Sequence, residues 1–539
     1  MIGIQRIDTG AFLDVGLNSS LDIRLINPAS QDELGDNTHS LSFNLPSTPR
    51  NRAELGFGER PQVRNPDTGF DVAIWFDGWP LLYGELSTRE RSLIGAGIAA
   101  QWAGGVSPLA SSFGAKLRDI DLGGTRIVAG GAPATSQAAL ITHANNLMAS
   151  PLTADYLFVP VRNAQWYDGT QPDWGGYVNH YDAQAGTFLA NADANGERWR
   201  NSLVPFPRVR YLLQQAFAHL GLLDLTDYSA LPGLELLALW NNQSLDATSP
   251  VNAWNYGTDR IDLTNHVPDW SIADLLRYLR RLMNLGVYVD PIERTVALAP
   301  RQAVRTAEMQ DWRSRCLRAG TITRRAPSES GRVFRWVEDG EDAFFGTAAQ
   351  LAEKEVLNGA TEVLVAGAPL QQAPLQPYPL LSGAVWSVPF ISQVGRTVLD
   401  DVAGSEANPR TVVWRGFQAI TDPVTGQPSA TALYPLGSAI TRGAANQVVG
   451  DYTFLWPSSV NYGTRSLYEQ WWETYLDDGE ESIVEVPVML TLADLLSLDF
   501  RRPALLQNED GPYLVEVMEV AFNLTTQGMT PATLTAKLI

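Results

Sequence analysis

Histidine is the commonest general base in proteins, and this 539-residue chain has five: His39, His143, His180, His219 and His266. No two stand four residues apart, so the paired imidazoles that hold zinc on one helix face are absent. There is no Walker loop, no G-x-S-x-G elbow and no dinucleotide fingerprint, and the enzyme classes that depend on them drop out. Two stretches place oxygen side chains at suggestive spacing. NADANGE, 191–197, sets Asn191, Asp193 and Asn195 at the first, third and fifth places of a calcium loop, with Gly196 at the sixth. Its twelfth place is Ser202, where a bidentate Glu is needed, and an ordinary Asn-Gly turn is the favoured reading. QWYDGTQPDWGGYVNHYD, 165–182, carries Asp168, Asp173 and Asp182 among aromatics, as a glycosidase or sugar-binding cleft does. Aromatic loops serve interfaces equally well, and an interface through Trp166 and Trp174 is preferred. No catalytic residue, metal or other cofactor is assigned.

The elements that must position such residues are more legible. In VPDWSIADLLRYLRRLMNLGVYVDPIERTVAL, 267–298, Ser271 and Asp274 form a capping box. Ile272, Leu275, Leu276, Leu279, Leu282 and Met283 then fall on one apolar stripe. Gly286 is expected to end the helix, and 287–289 and 295–298 to pair about Asp290-Pro291 as a hairpin. Arg277, Arg280 and Arg281 lie off the stripe, either on a solvated face or against acidic neighbours. A second helix begins near Pro207, buries Val209, Leu212, Leu213, Ala216, Phe217 and Leu220, and stops at Gly221. Further helices are expected at 137–149 and 466–476, the latter with Leu467, Trp471, Trp472 and Tyr475 on a shared side. Strands are expected at 41–47, across an Asp77-Gly78 turn in 71–86, and at 481–490, 513–523 and 532–538. The fold class is α+β, mainly β: several sandwich- or barrel-like domains, with a middle domain carrying the capped helices and the helix-hairpin unit. The expected division is 1–125, 126–324 and 325–539.

Composition bounds the function. A formal charge of −20 opposes nucleic-acid binding, which needs clustered Lys and Arg. One cysteine, Cys316, excludes an internal disulfide and a cysteine-rich zinc site. The start, MIGIQRIDTGAFLDVG, shows no signal peptide. SLIGAGIAAQWAGGV, 92–106, is too short and glycine-rich to span a membrane and reads as strand and loop, so no stable membrane insertion is expected. Sixteen Trp and 33 Pro point to strands, rigid turns and contact surfaces.

Several separated stretches together resemble the tail-tip, or baseplate-hub, proteins of tailed bacteriophages and related injection devices. They are LSFNLPSTPRNRAELGF at 41–57, FDGWPLLYGEL at 76–86, KLRDIDLG at 116–123, NSLVPFPRVRYLLQQAFAHLGL at 201–222, and NHVPDWSIADLLRYLRRLMNLGVYVDPIERTVALAP at 265–300. LLSLDFRRPALLQNEDGPYLVEVMEV resembles the closing strands of such proteins. The resemblance implies a symmetric, trimeric hub in the virion tail, assembled in the bacterial host cytoplasm; members of the family sometimes carry a fused peptidase or muramidase, whose motifs are not evident here, so no enzymatic activity is expected. Its implied partners are copies of itself, the tail tube or distal tail protein, and a tip or fibre protein. Genomic DNA would pass it without specific binding. The N-terminal β domain would be similar to the tube-protein fold. Interface candidates are Arg277, Arg280, Arg281, Trp166, Trp174, Trp471 and Trp472. Acidic residues are expected to face the axis of the ring. The alternative is a carbohydrate-active enzyme or sugar-binding tail protein using 166–182.

Overall fold

The computed structural model describes residues 2–16, 19–28, 39–40, 42–56, 69–91, 97–104, 110–128, 133–163, 165, 176–189, 203–247, 256–257, 260–290, 293–317, 323–325, 332–340, 342, 353–356, 361–372, 376–378, 380–393, 409–422, 425, 427–442, 448–449, 453–456, 465–476, 483–509 and 511–539. The chain is α+β and mainly β, with one large sheet and several small ones. The N-terminal strands are β1 (Ile2–Arg6), β2 (Phe12–Leu13), β3 (Ser20–Ile26), β4 (His39–Ser40), β5 (Phe43–Leu45), β6 (Gly69–Phe76), β7 (Trp79–Arg91) and β8 (Ile98–Gly104). Seven more strands enter the same sheet from later in the chain: β9 (Gln310–Asp311), β10 (Thr323–Arg325), β11 (Ile483–Val488), β12 (Ala504–Asn508), β13 (Gly511–Thr525), β14 (Gly528–Met529) and β15 (Ala532–Leu538).

The order along the sheet is β2-β1-β6-β7-β8-β4-β3-β13-β15-β11-β10. Its key junction is the antiparallel pairing of β3 with β13, from Ser20 opposite Thr525 to Ile26 opposite Glu519. An N-terminal domain ending near residue 125 is therefore not what the pairing builds. Strand β3 needs a neighbour for its free edge, and the C-terminal strands supply it. The buried side chains divide accordingly. One apolar cluster joins residues of β1–β8 to Trp312 and to residues between Val484 and Ala536; the other runs from Phe113 to Tyr475. The expected boundaries at 125 and 325 do not follow this division.

Local chemistry explains the elements. Asp77 and Gly78 both hold positive φ, 49° and 84°, and join β6 to β7 in the turn whose twist matches a two-residue hairpin. The helices used below are α1 (Pro133–Met148), α2 (Val209–His219), α3 (Ile272–Met283) and α4 (Leu467–Trp471). In α3 the Ser271 hydroxyl accepts from the Asp274 N–H at 3.1 Å, and the Asp274 carboxylate accepts from the Ser271 N–H at 2.9 Å. Burial opposes ionisation of Asp274, but Ser271 and Arg277 outweigh it and hold the carboxyl below its usual range.

The stop of α3 differs from expectation. Asn284, at φ 47° and ψ 50°, is the left-handed residue, and its side-chain amide donates to the Trp471 carbonyl at 3.1 Å. Asparagine tolerates this conformation, and the tertiary hydrogen bond selects it. Gly286 instead lies in strand Leu285–Asp290, where a Cβ would meet the Tyr288 ring at 2.7 Å. Space, not backbone handedness, requires glycine there. That strand pairs antiparallel with Thr295–Pro300, giving the expected hairpin. Within 92–106, residues Ile98–Gly104 form β8, and no helix among the described residues is long and apolar enough to cross a membrane.

Candidate functional site: the polar face of the large sheet

Side chains alternate across a strand, so each sheet face can be followed from register alone. One row runs from Asp71 to Glu85, Ala103, His39, Arg24, Ala521, Thr533 and Pro487, crossing β6, β7, β8, β4, β3, β13, β15 and β11. None of these eight residues is buried. The rows of the opposite face carry Phe70, Leu86 and Trp102, and Leu21 and Leu524, all in the core. Beside the exposed row stand Asp22 opposite Asn523, and Thr535 flanked by Glu519 and Glu485.

This face is small, polar and acidic. Among the described residues just named, Asp22, Asp71, Glu85, Glu485 and Glu519 carry negative charge. Arg24 answers Glu519 through a 3.6 Å ion pair. Asp71 and Glu85 are Cα partners, and like charges directly opposite each other destabilise a sheet. Among the described residues no ion pair is seen to offset that repulsion. Sequence reading anticipated an acidic surface but not these residues. Their signal was available as the polar members of the alternating strands SLDIRLI, GFDVAIWF and IVEVPV. What it lacked was the register that places them on one face.

At the free end of the sheet the face becomes aromatic. Phe12 of β2 packs edge-on against Trp75 with ring centroids 5.7 Å apart, above Gly3, where a Cβ would lie 3.2 Å from the Phe12 ring. Trp79, next to the hairpin turn and the Cα partner of Phe76 on the opposite face, is 63 % exposed.

The other expected site residues disperse. Arg277 pairs with Asp274 of its own helix at 2.7 Å, Arg280 is buried and donates to the Pro28 carbonyl at 3.1 Å, and Arg281 donates to the Leu364 carbonyl at 2.8 Å. Two of the three thus donate to backbone carbonyls. Trp471 and Trp472, expected at an interface, are both buried in the larger core, where the Trp472 ring stands 4.9 Å from Phe334. Their spacing marks an inward stripe because Leu467 and Tyr475 share it. Trp166, Trp174, Asp168, Asp173 and the calcium-loop residues Asn191, Asp193 and Asn195 lie outside the described residues. Asp182 is in view, and its Oδ1 accepts from the Gln184 and Ala185 amides in a turn.

The histidines remain apart from one another. Buried His266 faces Asn241 Oδ1 at 3.1 Å, and since Asn241 donates its amide to the Pro205 carbonyl, that oxygen fixes the imidazole proton on Nδ1. Burial pushes its pKa down to about 3. His143 bonds the Tyr156 hydroxyl at 2.7 Å, beside an Arg126 that donates to Asp155 at 2.6 Å and to Tyr211 at 2.9 Å. Desolvation and then Arg126 lower the His143 pKa, while desolvation pushes Tyr156 up to about 12. His180 is stacked on Tyr177 in the core. A second charged group, Arg410 with Asp342 and Asp339, is almost wholly buried, and Asp339 also accepts from Gln393 at 2.9 Å. Paired and hydrogen-bonded in this way, its charges tie the core together.

No family model and no curated protein matches the chain. Three solved structures align along nearly its whole length. The 43 kDa tail protein of prophage MuSo2 from Shewanella oneidensis is 8% identical, with a TM-score of 0.34, covering 99% of this chain and 97% of that one. The tail protein from Neisseria meningitidis MC58 is 8% identical, with a TM-score of 0.35 and coverages of 99% and 95%. The prophage tail protein gp18 from Listeria monocytogenes EGD-e is 8% identical, with a TM-score of 0.29 and coverages of 99% and 94%.

Proposed function

We propose that this chain is a structural, non-enzymatic component of a phage tail tip, a hub in a closed ring of three copies. In this reading it joins the tail tube to the central tip or fibre and turns the polar face of its large sheet toward the path of the DNA. The observation that carries the proposal is the exposed row that sets Asp71 opposite Glu85 in a sheet whose other face packs into the core. Duplex DNA carries roughly one negative charge per 1.7 Å of axis, so a wall that must pass it without holding it is best made negative and small. Among the described residues no group of three or more His, Cys, Asp or Glu side chains is placed to hold a metal ion.

The resemblance of the separated motifs to tail-tip hubs supplies the context of virion tail and neighbours. Closed rings bury their remaining apolar patches at subunit contacts, and the end of the sheet that exposes Phe12 and Trp79 is available for one. Light scattering on the purified chain tests the assembly: a discrete oligomer that grows in with concentration is expected, and a stable monomer at high concentration contradicts it.

A further inference from the structure

A cavity of about 290 Å³ opens beside the C-terminal end of α1, lined by Asn145, Met148, Ala149, Pro151, Tyr181 and Phe417, with Gly186 at its edge. Its aromatic walls are braced from behind. Tyr181 meets Phe188 edge-on at 4.9 Å, Phe188 meets Phe158 at 6.0 Å, and Phe158 meets Tyr156 at 5.7 Å. On the other side Phe417 stands edge-on to Trp414 at 5.7 Å and lies 6.5 Å from Tyr181. Strand Arg410–Thr421 shifts register between Trp414 and Phe417, and Gly416 there has φ +81°, a conformation that disfavours any side chain. The bulge leaves Phe417 39 % exposed at the rim.

The Asn145 side chain, one of the polar groups on the wall, is already committed. The Asn145 amide donates to Thr187 Oγ1 at 2.7 Å, and its oxygen accepts from the Phe188 N–H at 3.2 Å. A sugar would need several free donors and acceptors to replace its hydration, and the walls offer few. Two rings set at 54° to each other, in a cavity also lined by Met148 and Ala149, suit edge and offset contacts to another ring. We propose that this cavity binds one planar aromatic ring, either as a small molecule or as the side chain of a peptide. The site is separate from the polar sheet face, so it stands or falls independently of the tail-tip reading.

Saturation-transfer NMR on the full chain tests it with three probes: indole, a blocked Gly-Trp-Gly peptide, and N-acetylglucosamine. Two variants accompany them. Phe417→Ala removes one wall; Ala149→Trp fills the cavity from an exposed position and leaves the core alone. Saturable binding of indole is expected, weakened at least about tenfold by each variant, and the peptide arm shows whether a ring on a backbone also enters. The proposal is overturned if neither indole nor the peptide binds saturably, if both variants bind them as the natural chain does, or if the sugar binds in their place.

Discussion

Glu85 and Asp71 face each other across β6 and β7 with no sequence feature to mark them as a pair, and their proximity is the residue-scale core of the functional reading. Replacing Glu85 with Gln removes a cross-strand repulsion, so chemical denaturation should show a gain of about 0.2–1 kcal/mol at low ionic strength. The gain should shrink as salt is added. A loss of stability at low salt would mean that Glu85 is held by an attraction and is not kept acidic against a cost. His266 gives a second test. Above about pH 6.5 the imidazole is neutral in both folded and unfolded chains and its stabilising burial is fully present. As the pH falls toward about 3, the unfolded chain takes up a proton that the folded chain refuses, and stability is lost. The His266→Gln variant should therefore lose less stability than the natural chain between pH 6.5 and 4; parallel losses would contradict the assignment. Sequence alone showed five histidines with no two at ligand spacing, but whether a lone histidine is buried depends on contacts far along the chain, such as Asn241 with His266.

Single elements were the most readable level. The stripe and capping box of α3 follow from local spacing, and both are present because an N-terminal Ser with an acid three residues on satisfies two backbone donors without help from elsewhere. Ser271→Ala should lower stability by about 1 kcal/mol in thermal or urea unfolding, and an unchanged midpoint would show that the cap contributes nothing. The helix stop was less readable because the choice of Asn284 over Gly286 depends on a hydrogen bond to Trp471, nearly two hundred positions later. The same limit applies to Trp471 and Trp472. Helical spacing identifies a shared side, but only the packing of Phe334 against Trp472 shows that this side faces inward. The strands of DVAIWFDGWPLLYGEL were legible for the opposite reason: alternation and an Asp-Gly turn are both local.

For the whole molecule, the decisive fact is that the two ends of the chain share one sheet and one core. Strand pairing between β3 and β13 spans some five hundred residues, and no periodicity records it, which is why three consecutive domains seemed the natural division. Leu534 of β15 is fully buried, so Leu534→Ala should cost about 2–5 kcal/mol. Because its core is shared, amide exchange should accelerate in β3 and β8 as well as in β13 and β11. Acceleration confined to residues beyond 483 would show that the ends fold separately. The central claim is that this sheet presents its acidic face to a channel. Electron cryomicroscopy of an intact particle containing the chain tests it most directly: the account predicts density for the chain in a ring at the distal end of the tail tube, with Asp22, Asp71, Glu85 and Glu519 toward the axis. A ring whose axis is lined by the opposite or a basic surface, or a chain located away from the tube, would contradict it.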